Sequence, residues 1–295
     1  MRKGLSGRII KGIGGYYTVD DGSAEYICRA RGRFRKDGVS PKVGDYVVFD
    51  ADDNGEGYLI EIAGRKNELA RPPVANMDLL IIVIAVHMPE PDFLMVDRLL
   101  VNASRMDMDV ALCINKSDLA RPGEVEENFS QYRFLDSKFL VSARDGDGVD
   151  EIKVLSGSRT VCLAGQSGVG KSSIINRLVP GADFETGDLS GKIDRGRHTT
   201  RMACLVPSGQ GGYIVDTPGF SLLDLPMMEP CELRHDYRDF HAYNDCCRFQ
   251  GCLHDREPGC AVKDAVQQGL IDGRRYGRYV ELLKEINIKW ENRYD

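Results

Sequence analysis

Residues 160–179 read TVCLAGQSGVGKSSIINRLV, and the reading of this stretch decides the rest of the chain. Its centre, Gly165 to Ser173 (GQSGVGKSS), is glycine, four residues, glycine, lysine, serine. This is the phosphate-binding loop pattern, in which small residues let successive backbone N–H groups turn inward around a phosphate. Gly165, Gln166, Ser167, Gly168, Val169, Gly170, Lys171, Ser172 and Ser173 are therefore candidate nucleotide contacts, with Lys171 on the outer phosphates and Ser172 on Mg²⁺. The apolar run Thr160 to Ala164 predicts a buried strand before the loop. Ile174, Ile175, Leu178 and Val179 recur at helical spacing after it.

Working outward toward the amino terminus, Met77 to Val86 (MDLLIIVIAV) is almost continuously apolar, as expected of a parallel strand covered on both faces. A helical face follows at Phe93, Val96, Leu99 and Leu100, then strands at Val110 to Ile114 and Phe139 to Val141. This is α/β alternation. Directly after the Ile114 strand stands Asn115-Lys116-Ser117-Asp118, the NKxD pattern. The Asp118 carboxylate accepts from guanine's ring N1–H and exocyclic amine, donors that adenine lacks on that edge. Asn115 braces the loop and the Lys116 stem packs over the base, while Ser142-Ala143 fits a further backbone contact to the guanine carbonyl.

Toward the carboxyl terminus, Leu189 to Arg201 is polar and basic without an apolar period, and reads as a mobile loop. The strand Tyr213 to Val215 then ends in Asp216-Thr217-Pro218-Gly219, the DxxG pattern. Asp216 would hold Mg²⁺ through water, and the Gly219 N–H would meet the γ-phosphate. Chance supplies DxxG roughly two or three times in such a chain, so its place after a strand is what counts. The order is the informative feature: NKSD and Ser142-Ala143 precede the phosphate loop, so the domain is circularly permuted.

Residues 1–68 hold five short β-rich runs separated by turn chemistry, the pattern of an OB-type Greek-key barrel. Between the third and fourth runs lie Arg29, Arg31, Arg33, Phe34, Arg35 and Lys36, a strip expected to neutralise RNA phosphates and stack a base. Residues 65–73 read as a linker ending in two prolines. At the other end, Cys247, Cys252, His254 and Cys260 supply three thiolates and an imidazole, enough for one structural Zn²⁺; the adjacent Cys246 is an alternative to Cys247. Two helices are expected beyond, the second exposing Arg274, Arg275 and Arg278, either as a further RNA contact or equally as an ordinary solvated face.

The fold class expected is multidomain α/β: a five-stranded OB-type barrel over 1–68, a permuted, Rossmann-like three-layer P-loop GTPase domain over 69–225, and a mainly helical zinc-binding domain over 226–295. With 295 residues, 42% hydrophobic, 28% charged and a net charge of −6, the composition is that of an ordinary globular chain and carries no global nucleic-acid signal. No apolar run is long enough for a bilayer, and the amino terminus lacks a signal peptide's apolar segment; a cytoplasmic chain with no membrane partner is expected. Cys113 and Cys162 lie in strand-like runs and are expected to be free core thiols.

The motif order NKSD, SA, GQSGVGKSS, GRHTT and DTPGF, between a barrel and the CRFQGCLHDREPGC zinc motif, resembles the circularly permuted, ribosome small-subunit-dependent GTPase A family of bacteria, RsgA or YjeQ. The resemblance spans nearly the whole chain. It implies a monomeric GTPase that takes GTP with Mg²⁺, binds the small (30S) ribosomal subunit and its 16S rRNA in late maturation, hydrolyses faster there, and departs with GDP. It places Thr200 on Mg²⁺ and the γ-phosphate. Phe220 stands where many regulatory GTPases carry a water-orienting glutamine, and His198 is the expected substitute. The rival readings are a translation factor using GTP on mature ribosomes and an RNA-binding zinc and barrel protein whose nucleotide is structural.

Overall fold

The computed structural model describes residues 2–32, 34, 38–69, 72–179, 181, 203–216 and 224–293. Five strands, β1 (Arg2–Ile13), β2 (Tyr16–Asp20), β3 (Glu25–Ala30), β4 (Tyr46–Ala51) and β5 (Glu56–Ile62), form the amino-terminal unit. β1 pairs with both β2 and β4, β3 with β2 and β5, and β4 with β5, so the ring closes as β1-β2-β3-β5-β4. Only β3–β5 is parallel. Closure leaves no free edge, which suits so short a unit. β1 is longer than the run Arg8 to Ile10 predicts: residues 2–7 are mostly polar, and their pairing with β4 makes them a strand.

The linker is no loose tether. Residues 65–69 are pinned to the barrel and to the next sheet: Arg65 pairs with Asp45 at 2.7 Å, β6 (Glu68–Leu69) pairs with β7 (Val74–Ala75), and buried Asn67 bonds the backbone of Met77 and Met106. The central sheet follows, built from β8 (Leu79–Ala85), β9 (Asp109–Asn115), β10 (Lys138–Leu140), β11 (Thr160–Ala164), β12 (Cys204–Pro207) and β13 (Tyr213–Asp216) in the order β10-β9-β8-β11-β13-β12. All neighbours are parallel except β12–β13, and β12 also meets β1 at Lys11↔Cys204, joining barrel and sheet.

Helices cover both faces: α1 (Phe93–Arg105) and α2 (Glu124–Phe129) on one, α3 (Val149–Ser156) and α4 (Lys171–Leu178) on the other. The unbroken apolar run of β8 divides by strand alternation. Leu80, Ile82 and Ile84 join the core shared with the barrel and α1, and Leu79, Ile81, Val83 and Ala85 join that of α3 and α4. Cys28, Cys113 and Cys162 are buried free thiols, Cys113 pushed up to about 12 by burial.

The carboxyl-terminal unit consists of short 3-10 turns followed by α5 (Ala261–Gln267) and α6 (Gly273–Glu291) around a third core that includes Tyr237, Phe240, Tyr279 and Leu282. One expectation about α6 is overturned. Arg275 is buried against Asp97 (2.5 Å) and Asp239 (2.9 Å), and Arg278 reaches the other oxygen of Asp97 at 2.6 Å. Both therefore face the central domain, not solvent. The i, i+3 spacing on a helix marks which residues share a face, but a partner carboxylate on α1 is what turns a charged face inward. No helix among the described residues is long and apolar enough to cross a membrane.

Candidate nucleotide site and metal cluster

The phosphate loop joins β11 to α4 at the carboxyl end of the parallel sheet, where the helix N-terminus adds donors and a favourable dipole for an anion. Two of its glycines have no substitute. At Gly165 (φ 150°) a Cβ would stand 2.0 Å from the Val83 carbonyl oxygen, and at Gly170 (φ 97°) 2.3 Å from the Asn115 amide nitrogen. Lys171 lies over the loop, donating to the Gly165 and Gln166 carbonyls at 2.7 Å each. Burial lowers its pKa, a cost that a phosphate's negative charge would offset.

Asn115 ends β9, beside β8, and is buried. Its amide donates to the Val169 carbonyl at 2.7 Å while its oxygen accepts from the Ala143 N–H at 2.9 Å, so a single side chain ties the phosphate loop to the Ser142-Ala143 turn. Lys116 adopts the left-handed conformation (φ 60°) and its ammonium bonds the Met88 carbonyl. That turn presents Asp118 beside Ser142, whose hydroxyl lies 3.1 Å from one Asp118 oxygen and 2.9 Å from Asp145. Asp216 ends β13, whose register against β11 pairs Cys162 with Val215, so Asp216 falls alongside the entry to the phosphate loop. Ser167, Gly168, Ser172 and Ser173 lie on the same loop and first helical turn.

Asp118, Asn115, the phosphate loop and Asp216 are thus brought together although nearly a hundred residues separate Asp118 from Asp216. His198, Thr200 and Gly219 lie outside the described residues. Sequence reasoning missed one connection: the Gln166 side-chain oxygen accepts from the Asp92 N–H at 3.2 Å, and Asp92 caps α1 through the Met95 N–H.

In the carboxyl-terminal unit the ligand atoms of Cys247, Cys252, His254 and Cys260 all lie within 4.8 Å of one another. His254 Nδ1 stands 3.5 Å from Cys247 Sγ and 3.3 Å from Cys260 Sγ, with the two sulfurs 3.9 Å apart. Tetrahedral zinc, with Zn–S near ~2.3 Å and Zn–N near ~2.0 Å, demands separations of about this size. The donors fit Zn²⁺. Asn244 Oδ1 lies 2.9 Å from His254 Nε2 and, its amide being spent on the Arg234 carbonyl, accepts that proton and leaves Nδ1 free to ligate. Cys246 is exposed and its sulfur turns to the Ala242 carbonyl, so Cys247 is the member of the cluster.

The barrel strip needs correction at one position. Arg29 is exposed on β3 and Arg31 sits 3.8 Å from Asp50, but Phe34 is 6% exposed and belongs to the core shared by barrel and sheet. A buried ring cannot stack a base. Its apolar burial outweighs the pattern of cations around it. Arg33, Arg35 and Lys36 lie outside the described residues.

Residues 62–226 match the RsgA GTPase family, and residues 6–59 match the RsgA N-terminal domain. The chain belongs to the RsgA GTPase family. As a member it is a GTPase, using GTP with Mg²⁺. Among its relatives, the small ribosomal subunit biogenesis GTPase RsgA of Caldanaerobacter subterraneus is 43% identical, with 98% of each chain covered. That of Carboxydothermus hydrogenoformans is 43% identical, covering 96% of this chain and 98% of the relative. The crystal structure of YjeQ from Thermotoga maritima superposes with a TM-score of 0.85 at 34% identity over 97% of this chain and 99% of that one. YloQ, described as a circularly permuted GTPase, gives 0.81 at 36% identity over 97% and 96%. The permuted RsgA topology explains why β8 and β9, the latter leading into Asn115-Lys116-Ser117-Asp118, precede the phosphate loop in the chain.

Proposed function

We propose that this chain binds the small ribosomal subunit during its late maturation, that the subunit stimulates its hydrolysis of GTP, and that hydrolysis is coupled to release. The observation that carries the reading is the permuted RsgA-type site, with Asn115 clamped between the phosphate loop and the Ser142-Ala143 turn, in a chain whose close relatives are named small ribosomal subunit biogenesis GTPases. Asp118 reads guanine, Lys171 meets the outer phosphates, and Ser172, Thr200 and, through water, Asp216 hold Mg²⁺. That ion neutralises charge on the phosphates when bound. His198 orients the attacking water in place of the glutamine that Phe220 displaces. The units are 1–68, 69–225 and 226–295. The protein acts as a monomer and meets 16S rRNA through Arg29, Arg31, Arg33, Arg35 and Lys36.

Single-turnover hydrolysis with and without purified small subunits tests this. Wild type is expected to be slow alone and at least tenfold faster with subunits, while His198→Ala binds GTP normally and loses the stimulated rate. A wild-type rate indifferent to subunits overturns the reading, and a nucleotide that does not turn over at all would be a structural ligand. Sedimentation of extracts from cells lacking the protein separates assembly from translation: free small subunits and immature rRNA accumulate only if assembly fails.

A further inference from the structure

The barrel's outer surface holds a row in which two tyrosines that no motif touches flank Arg29, the first cation of the strip. Strand pairing sets Tyr16 of β2 opposite Arg29 of β3, and Arg29 opposite Tyr58 of β5. Side chains directly across a sheet share a face, so the three form one line, tyrosine, arginine, tyrosine. Tyr16 is 45% exposed and Tyr58 46%, whereas Tyr26, Phe34 and Phe49 of the same unit are buried; Tyr46, also exposed, stands on β4 against Arg8, away from this row. The Arg29 guanidinium lies 4.6 Å from the centre of the Tyr16 ring and donates to its hydroxyl at 2.5 Å, which holds the ring in place. Ile13, across from Tyr16, and Ile27, one row along, are exposed as well.

Charge along the face is graded. Two residues down β3 from Arg29 is Ile27, opposite Glu56, and two further is Glu25, opposite Asp20. In the other direction the strand leads to Arg31. A polyanion is therefore welcomed at the tyrosine row and repelled at the far end. Rings on strands two apart stand about 10 Å from each other. That suits bases splayed from a single strand with a cation between them; duplex RNA buries its base faces and offers nothing to stack.

We propose that Tyr16, Arg29 and Tyr58 form a platform for unpaired RNA, the two rings each stacking a base and Arg29 contacting the intervening backbone. The platform rests on the proposed function for its biological target and assigns the stacking role that Phe34 does not fill.

The test uses the full-length zinc-loaded protein and two probes, purified small subunits and a single-stranded uridine decamer, each titrated over a salt series. Tyr16→Ala with Tyr58→Ala is expected to weaken both by on the order of tenfold or more with an unchanged salt dependence, since stacking releases no counterions. Tyr16→Phe with Tyr58→Phe is expected to bind as wild type, and Arg29→Ala to flatten the salt dependence by about one ion. Intrinsic GTP hydrolysis, whose residues lie elsewhere, reports that each variant is folded. Wild-type affinity in the double alanine variant overturns the platform, as does an equal loss in the phenylalanine variant. A loss confined to subunits with the decamer unaffected also overturns it, making the face a contact for ribosomal protein. If the wild-type protein itself fails to bind subunits, it is the proposed function that falls, and binding to the decamer still decides the platform.

Discussion

On the proposed reading the Asp118 carboxylate, steadied by Ser142 at 3.1 Å, accepts from two guanine donors. Asp118→Asn replaces one acceptor oxygen by a donor amide, which suits a carbonyl where guanine has its amine. Preference is expected to move from GTP toward xanthosine triphosphate, by on the order of tenfold or more for two disrupted bonds to a charged group. Competition binding with both nucleotides measures it, and unchanged guanine preference would remove Asp118 from the base site. Asn115 is a different kind of residue. Buried and bonded on both sides, it holds two loops in register.

Among the elements, α1 has two occupations. Its amino end is capped by Asp92, whose N–H meets Gln166 of the phosphate loop. Its outer face receives the zinc-bearing unit through Asp97, through Arg98 paired with Glu285 at 2.8 Å, and through Arg105 paired with Asp236 at 2.7 Å. Desolvation raises the pKa of Asp97, opposed by Arg275 and Arg278. Such a buried group contributes stability only while its partners remain. Asp97→Ala leaves Arg278 without a carboxylate, bonded only to the neutral Gln131 and Tyr132, and leaves Arg275 only Asp239, and is expected to cost on the order of 3 kcal/mol. Thermal denaturation of the zinc-loaded protein checks this, together with faster proteolysis within 226–293. A shift in midpoint within error would show the cluster to be solvated in solution.

For the whole molecule, permutation places the DTPG motif immediately before the zinc-bearing unit in the sequence, so on the proposed reading γ-phosphate acts on that unit through residues 220–230. The docking of that unit on α1 would offer the same reading a second path, from Gln166 through the helix. A few kcal/mol between GTP and GDP states suffices to move subunit binding from mostly on to mostly off. Arg98→Ala with Arg105→Ala loosens the docking surface and touches no nucleotide-loop residue. It is expected to leave nucleotide affinity unaltered and to narrow the difference in small-subunit affinity between a non-hydrolysable GTP analogue and GDP. A difference as large as wild type would assign the coupling to residues 189–201 instead.

What the sequence determined by itself is local. The phosphate loop, NKSD and the cysteine cluster each depend on residue types at fixed spacing, and alternation of apolar runs sufficed for the barrel strands and the α/β domain because strand and helix periods are properties of the chain. The tertiary structure decided everything that depends on what lies opposite. Phe34 reads as exposed among cations but fills a core; Arg275 and Arg278 read as a solvated face but meet Asp97 from a helix more than 170 residues earlier. Residues 2–7 show no strand pattern and become one by pairing with β4, and β12, a short antiparallel addition, gains its place from β13 and a short pairing with β1 at Lys11 and Cys204. The tyrosine row exists only in the register of three strands. Charge and aromaticity are written residue by residue, but burial and pairing arise from the packing of segments distant in the chain, and no spacing along it records which face will find a partner.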